Sequence, residues 1–268
     1  MIHDYASGDE LYRAHFDFLN TNKYLSAFFR MDAPLLKKPD RANYAFACVS
    51  DCGTLLALKV EPYSMLFFGD EACVPEAVGY LIEKGYEMPR YLCACDVGDR
   101  VMAELKNTYG RDYFQALGMD FMEAVSVTEP SSEEVVAATP ADLDEICECL
   151  ERFVSDCGLL DKVSREKTAE TISCFRLIKR DGKIISMAKL CLSSDEDTRI
   201  ACVYTRNEYR GQGYARKVVN AAKNEILSQG KKATLNVDQK NPISNHIYES
   251  IGFVKLFSQG EYREKKQA

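Results

Sequence analysis

The chain has 268 residues, 46% of them hydrophobic, enough for one large domain or two of about 130 residues. Its net charge of −7 is uneven: residues 1–130 carry 12 Lys and Arg against 20 Asp and Glu, and residues 131–268 carry 22 against 21. That balance argues against nucleic-acid binding, which needs an extended basic surface, and no stretch approaches the roughly 20 apolar residues of a membrane span. The start, M-I-H-D-Y-A, has no basic-then-apolar leader pattern. The 11 cysteines, set inside apolar patterns with three histidines and no C-x-x-C pair, read as buried reduced thiols of a cytoplasmic protein without a metal site.

Residues 9–30 have helical spacing (Leu11, Ala14, Phe18, Leu19, Leu25, Phe28), broken around Asn20 to Asn22, and residues 33–40, with Pro34 and Pro39, read as a loop. Three β-rich runs follow, Tyr44 to Val49, Thr54 to Val60 and Ser64 to Phe68, the first two joined by a hairpin turn at Asp51-Cys52-Gly53. Pro75 opens a helix that carries Val78, Leu81 and Ile82. Tyr91 to Cys95 is a predicted strand with Cys93 and Cys95 on one face, Val101 to Tyr109 a helix, and Tyr113 to Val127 a strand region around Gly118. The stretch T-E-P-S-S-E-E, Thr128 to Glu134, has linker composition and divides the chain into residues 1–127 and 133–268.

The second half starts with a strand, Val135 to Ala138, then a helix from Asp142 to Phe153 and a short helix from Ser164 to Thr171. Strands Cys174 to Lys179 and Ile184 to Leu192 are joined at Asp181-Gly182, a strong two-residue turn, and Thr198 to Thr205 is the third strand of the meander. A helix follows with one apolar stripe, Ala215, Val218, Val219, Ala222 and Ile226, stopped by Gly230. Ala233, Leu235 and Val237 alternate in the next strand. Asn241 caps a last helix with Pro242 at its first position, Phe253 to Phe257 is a strand, and the tail from Arg263 to Ala268 frays. The fold class is α/β, in the α+β sense of a mixed sheet flanked by helices.

Between the third meander strand and the striped helix lies a turn with two glycines, Gly211 and Gly213. Glycines there let the backbone approach an anion, and the free N–H groups and dipole of a helix N-terminus favour negative charge. Arg210, Arg216 and Lys217 add positive charge that a helix N-terminus disfavours unless an anion is expected. The turn has neither the P-loop spacing nor the third small residue of the dinucleotide fingerprint, since Arg216 stands there. What remains is Arg-x-x-Gly-x-Ala, from Arg210, Gly211, Gln212 and Gly213 to Tyr214 and Ala215.

Asn241 and Tyr248 lie seven residues apart on one predicted helix, about 700° of turn, and so share a face about 10 Å apart along its axis. Gly252-Phe253 follows. The two motifs, their separation and the order of elements resemble the GCN5-related N-acetyltransferases, over about residues 133–260. The resemblance implies acetyl-coenzyme A as co-substrate, no metal, and a small-molecule or peptide amine as acceptor. It further implies that Val203, Tyr204 and Thr205 pair with the pantetheine arm and that backbone N–H groups from Gly211 through Arg216 cradle the pyrophosphate. Asn241 would bond the cofactor arm, and Tyr248 would be the general acid for the departing thiolate; a phenol is protonated at neutral pH. Asn241 is equally explained as a helix cap and Tyr248 as a core tyrosine. Glu196 and Asp197 are candidates for the base, in a segment, S-S-D-E-D, that reads as an exposed turn.

The first half lacks the glycine pair. F-Q-A-L-G-M, Phe114 to Met119, aligns with Y-E-S-I-G-F, Tyr248 to Phe253, half a chain apart. The expectation is a degenerate copy of the same fold, two in tandem, in which Phe114 replaces the tyrosine. Two other functions fit the same residues: a coenzyme A-binding regulator without catalysis, and a transferase of aminoacyl groups from tRNA, which the acidic balance disfavours.

Overall fold

The computed structural model describes residues 1–158, 162–192 and 194–265. Its contacts form two compact units: Met1–Met119 with the chain from Phe257 onward, and Asp120–Leu256. The boundary is therefore inside a strand and not in the 128–134 stretch. That stretch is tied to the second unit: Asn220 Nδ2 donates to Pro130 O (2.9 Å), Asn224 Nδ2 to Glu129 O (2.8 Å), and the buried Lys223 Nζ to Thr128 Oγ1 (3.0 Å). A Pro- and Ser-rich composition marks irregular backbone, which here is irregular but anchored.

In the first unit, β1 (Ile2–Asp4) leads to three short helices, α1 (Gly8–Ala14), α2 (Phe16–Asn20) and α3 (Ala27–Asp32). Ser7 caps α1 by accepting from Glu10 N (3.2 Å), and the Glu10 carboxylate accepts from Ala6 N (2.9 Å), a reciprocal cap that fixes the helix start. A meander follows, β2 (Tyr44–Ser50), β3 (Gly53–Lys59) and β4 (Met65–Gly69), then α4 (Val74–Lys84), β5 (Arg90–Ala94), α5 (Cys95–Tyr109) and β6 (Tyr113–Ala124). Cys95 starts α5 and does not share a strand face with Cys93. β4 and β5 are parallel, Met65 opposite Tyr91. The strand on the far side of β5 is β12 (Val254–Glu264), antiparallel from Gln259↔Ala94 to Arg263↔Arg90. The tail predicted to fray is thus a sheet strand as far as Glu264; residues 266–268 lie outside the described residues. The alternation of each strand sends Phe46, Ala57 and Phe67 to a core under α4 and α5, and Ala47, Leu56 and Phe68 to a core under α1 to α3.

The core under α4 and α5 holds four tyrosines that burial keeps protonated well above their ordinary range, Tyr44, Tyr91, Tyr113 and Tyr262. The folded state retains these protons where an unfolded chain releases them, so stability is intact below about pH 10 and falls above it, at most about 1.4 kcal/mol per pH unit per tyrosine. Thermal unfolding followed at pH 8, 9.5 and 11 with tyrosinate absorbance is expected to show a Tm that is level to pH 9.5 and drops sharply at 11, with a step of added tyrosinate accompanying unfolding at pH 11.

The second unit runs β7 (Val135–Ala137), α6 (Leu143–Asp156), α7 (Arg165–Glu170), the meander β8 (Phe175–Arg180), β9 (Lys183–Leu192) and β10 (Asp197–Thr205), then α8 (Tyr214–Ser228), β11 (Lys232–Asp238) and α9 (Pro242–Ser250). Its strands are ordered β7-β8-β9-β10-β11, with the second half of β6 next to β11. One face packs under α8 and α9 through Ile200, Val219, Leu235 and Ile251; part of the other packs under α6 through Ile146, Phe175, Met187 and Tyr204.

Both units have the same order of elements: strand, helices, three-strand meander, helix, strand, helix, strand. In each, the third meander strand is parallel to the next strand. The F-Q-A-L-G-M alignment fails at this level. Phe114 is on strand β6 and 44% exposed, whereas Tyr248 is on helix α9 and buried. A six-residue match carries too little information to set a register between copies; the order of elements makes α5 the counterpart of α9.

Candidate functional site

The register of β10 shapes the site. It pairs with β9 from Thr198↔Leu192 to Ala201↔Lys189, slips, and resumes at Tyr204↔Met187. Cys202 and Val203 thus share one opposing residue in a bulge, with Cys202 at φ 51° in the left-handed region that side chains disfavour. On its other edge β10 runs parallel to β11 over three residue pairs, ending at Arg199↔Thr234. Beyond that no pairing joins the two strands, and the bulge lies on this unpaired stretch, here called the wedge.

β10 leads straight into the glycine turn. Gly211 and Gly213 have φ of 75° and 80°, and a Cβ on either would meet nothing within 4 Å. Backbone conformation, not crowding, requires glycine here, and the space in front of the turn is open. Gly213 caps α8 without a side chain, which leaves the first-turn N–H groups for an anion. The turn is braced from behind by the buried Arg206, whose guanidinium donates to Ile184 O (2.6 Å), Glu145 (3.0 Å) and Glu148 (3.2 Å).

The three cations read as evidence for an anion have partners of their own. Arg210 pairs with Asp156 (2.6 Å), Arg216 with Glu129 (2.6 Å) and Lys217 with Glu134 (2.6 Å). Any attraction for phosphate at this turn comes chiefly from backbone N–H groups and the helix dipole. Tyr204 and Thr205 are buried, the Thr205 hydroxyl bonded to Ser186 Oγ (2.9 Å), so their outward contribution is main chain. Gln212 is exposed and donates to Glu208 O (3.4 Å), while Val203, Tyr214 and Ala215 are half-buried.

On α9, Asn241 is exposed, and its Oδ1 accepts from Ser244 N (3.0 Å), the capping bond expected from Asn-Pro. Tyr248 is 7% exposed and edge-on to Phe253 (6.1 Å). Burial pushes its phenol up to about 12. The exposed Cys157, at the end of α6, is within electrostatic reach of Tyr248, of Cys202 in the bulge and of Asp238 at the end of β11. Neither the bulge nor Cys157 had a sequence signal: no Gly or Pro marks the bulge, and Cys157 looks like any cysteine near a helix end.

The proposed bases fare less well. Asp197 is the first residue of β10, 2% exposed and bonded to the Ser194 hydroxyl, not part of an exposed turn; Glu196 beside it is exposed. Among the described residues no group of three His, Cys, Asp or Glu could hold a metal ion, and no helix is long and apolar enough to cross a membrane.

Residues 178–263 match the family model described as FR47-like protein. An amino-acid acetyltransferase of Pseudomonas fluorescens is 23% identical over 242 residues, 83% of this chain and 55% of the relative. The chain has the fold of the GCN5-related N-acetyltransferases. Another amino-acid acetyltransferase, from Aeromonas salmonicida, is 34% identical over 102 residues, 36% of this chain and 23% of its own length. The chain thus spans about half or less of the curated relatives it matches. Among solved structures, a GCN5-related acetyltransferase from Colwellia psychrerythraea superposes with a TM-score of 0.61 at 12% identity, covering 99% of this chain and 100% of its own. One from Sphaerobacter thermophilus gives 0.52 at 14% identity, covering 88% and 85%. The unpaired stretch of β10, its bulge and the glycine turn follow one another along the chain to the start of α8.

Proposed function

We propose that the second unit transfers an acetyl group from acetyl-coenzyme A to a primary amine by direct attack. The observation that carries this is the succession along the chain of the unpaired end of β10, the bulge on it, and the glycine turn that leaves the first N–H groups of α8 uncapped by a side chain. The pantetheine arm would lie in the wedge against the backbone of Val203 to Thr205, with the pyrophosphate on the turn from Gly211 to Arg216 and Asn241 beside the arm. The free amine attacks the thioester carbonyl, the C–N bond forms, the C–S bond breaks, the Tyr248 hydroxyl donates a hydrogen bond to the departing sulfur, and the proton the amine loses ends on that sulfur.

The first unit is proposed as a non-catalytic tandem copy, residues 1–127 in broad outline. Where the second unit has glycines between meander and helix, the first has Gly69-Asp70-Glu71, and the Asp70 carboxylate accepts from Thr54 N (2.8 Å). Two acids at that turn would repel a pyrophosphate.

Calorimetric titration with acetyl-coenzyme A, on the wild type and on Gly213→Asp, tests the assignment. Micromolar binding is expected for the wild type. The variant should lose at least roughly 100-fold, since a side chain at this φ strains the turn and its carboxylate faces the anion. Equal affinity in the two proteins would remove the cofactor from this turn.

A further inference from the structure

We infer that the first unit carries a binding site for a small quaternary ammonium ion, set between the Asp4 carboxylate and the rings of Tyr44 and Tyr86. This goes beyond the acyl transfer proposed above and does not depend on it. A cavity of about 490 Å³ lies at the β1 edge of the sheet, lined by Asp4, Tyr5, Pro39, Tyr44, Ala45 and Tyr86, all residues of the first unit. That volume is within the range of small-ligand sites. Tyr5, Tyr44 and Ala45 are buried and form the floor, Tyr86 is half-buried, and Asp4 and Pro39 are exposed at the rim.

Strand register places the charge. β1 pairs antiparallel with β2, Asp4 opposite Phe46. Ile2 packs on the core under α4 and α5, so Asp4, two residues on, has its side chain on the same face. There the Tyr80 hydroxyl of α4 donates to Asp4 Oδ2, which holds the carboxylate in place. Among the described residues Oδ1 has no hydrogen bond and Asp4 has no ion pair. Residues 1–130 carry 12 Lys and Arg against 20 Asp and Glu, a balance that favours a cation at this rim.

The rings supply the rest. Tyr86 stacks on Tyr44 with centroids 4.1 Å apart, and Tyr80 stands across Tyr86 at 6.2 Å. Tyrosine rings attract cations, most strongly where water is excluded. Tyr80 already has one, Lys84 Nζ at 5.3 Å, whereas among the described residues no cation lies over Tyr44 or Tyr86. Arg41 donates instead to Gly85 O (3.3 Å). The walls also select the kind of cation. The Tyr5 hydroxyl is bonded to His15 Nε2 (2.7 Å), the Tyr44 hydroxyl donates to Glu87 O (2.9 Å), and Ala45 O accepts from Tyr5 N (3.0 Å). A primary ammonium brings three donors and finds little beyond Asp4 to accept them, which is costly in a partly buried site. A quaternary ammonium has no donors. Its methyl groups pack on the rings, and Asp4 supplies the opposite charge.

The test is calorimetric titration of the full chain with choline chloride, set against sodium chloride at matched concentration and against the uncharged alcohol in which carbon replaces the choline nitrogen. Choline is expected to bind with a Kd of about 1 mM or lower, and the alcohol at least roughly tenfold more weakly. Propylammonium should also bind more weakly than choline. Asp4→Asn should weaken choline by roughly tenfold or more; asparagine still accepts from Tyr80, so Tm should hold. Tyr86→Leu should weaken it by roughly fivefold or more. Tyr86→Phe keeps the ring and should bind as the wild type does, which separates loss of the ring from loss of the fold. No binding up to about 10 mM choline would overturn the inference. So would equal affinity for the alcohol, tighter binding of propylammonium, or unchanged affinity in Asp4→Asn.

Discussion

Tyr248→Phe is expected to lower kcat by roughly 10²-fold or more, within the range for loss of a positioned proton donor, with acetyl-coenzyme A affinity held within about threefold. The fold should be retained. The ring packs edge-on to Phe253 in the core under α8 and α9, and removing the hydroxyl leaves that packing in place. A merely structural tyrosine would show the reverse, an unchanged kcat and a lower Tm.

The pH dependence follows from the same burial. A phenol pushed up to about 12 keeps its proton through the working range, so Tyr248 imposes no alkaline limb on kcat below about pH 11. A thiol ordinarily titrates near 8.5, which makes the leaving sulfur a weaker base than the Tyr248 phenolate. Tyr248 therefore contributes a hydrogen bond that strengthens as charge grows on sulfur, and the proton that sulfur finally keeps is the one the amine loses on acylation. kcat/KM is expected to rise with pH as the acceptor amine deprotonates and then to level off. An alkaline fall near pH 10 that Tyr248→Phe abolishes would contradict this.

Several parts of this site were legible before any coordinates because a single physical constraint fixed each one. The stripe from Val218 to Ile226 has room for only one buried helix face, and α8 shows it. Gly211 and Gly213 mark a turn between strand and helix in the sequence, and both have positive φ in that turn. Asn241-Pro242 predicted a cap and is one. The charge argument failed where sequence is blind to pairing: Arg210, Arg216 and Lys217 look free in one dimension, and their carboxylates come from 54, 87 and 83 residues away. The bulge at Cys202 was illegible for a related reason. It is a property of the register between β9 and β10, and either strand alone reads as a regular alternation. β1 was missed because a three-residue edge strand is too short to show a period.

The last strand, β12, of which only the end from Arg263 reads as a fraying tail in the sequence, carries the largest expected effect on stability. Tyr262→Ala should destabilise the first unit by about 3–5 kcal/mol, the cost of emptying a large aromatic site. Termination after Leu256 should leave that unit without a cooperative transition. Tyr262 is fully buried, stacked on Tyr91 at 4.9 Å, with its hydroxyl donating to Asp99 (2.9 Å). Gly98 is glycine because of it, since a Cβ there would stand 2.1 Å from the ring. The same strand places Glu264 in a two-bond pair with Arg111, at 2.7 and 2.8 Å. Without β12, the ladder side of β5 from Arg90 to Ala94 loses its partner, and the core beside Tyr91 opens to water. Hydrogen exchange of the β5 amides is the direct measure. These amides are expected to exchange slowly in the full chain and within minutes in the truncated one. Slow exchange after truncation would show that the first unit closes without the last strand of the chain.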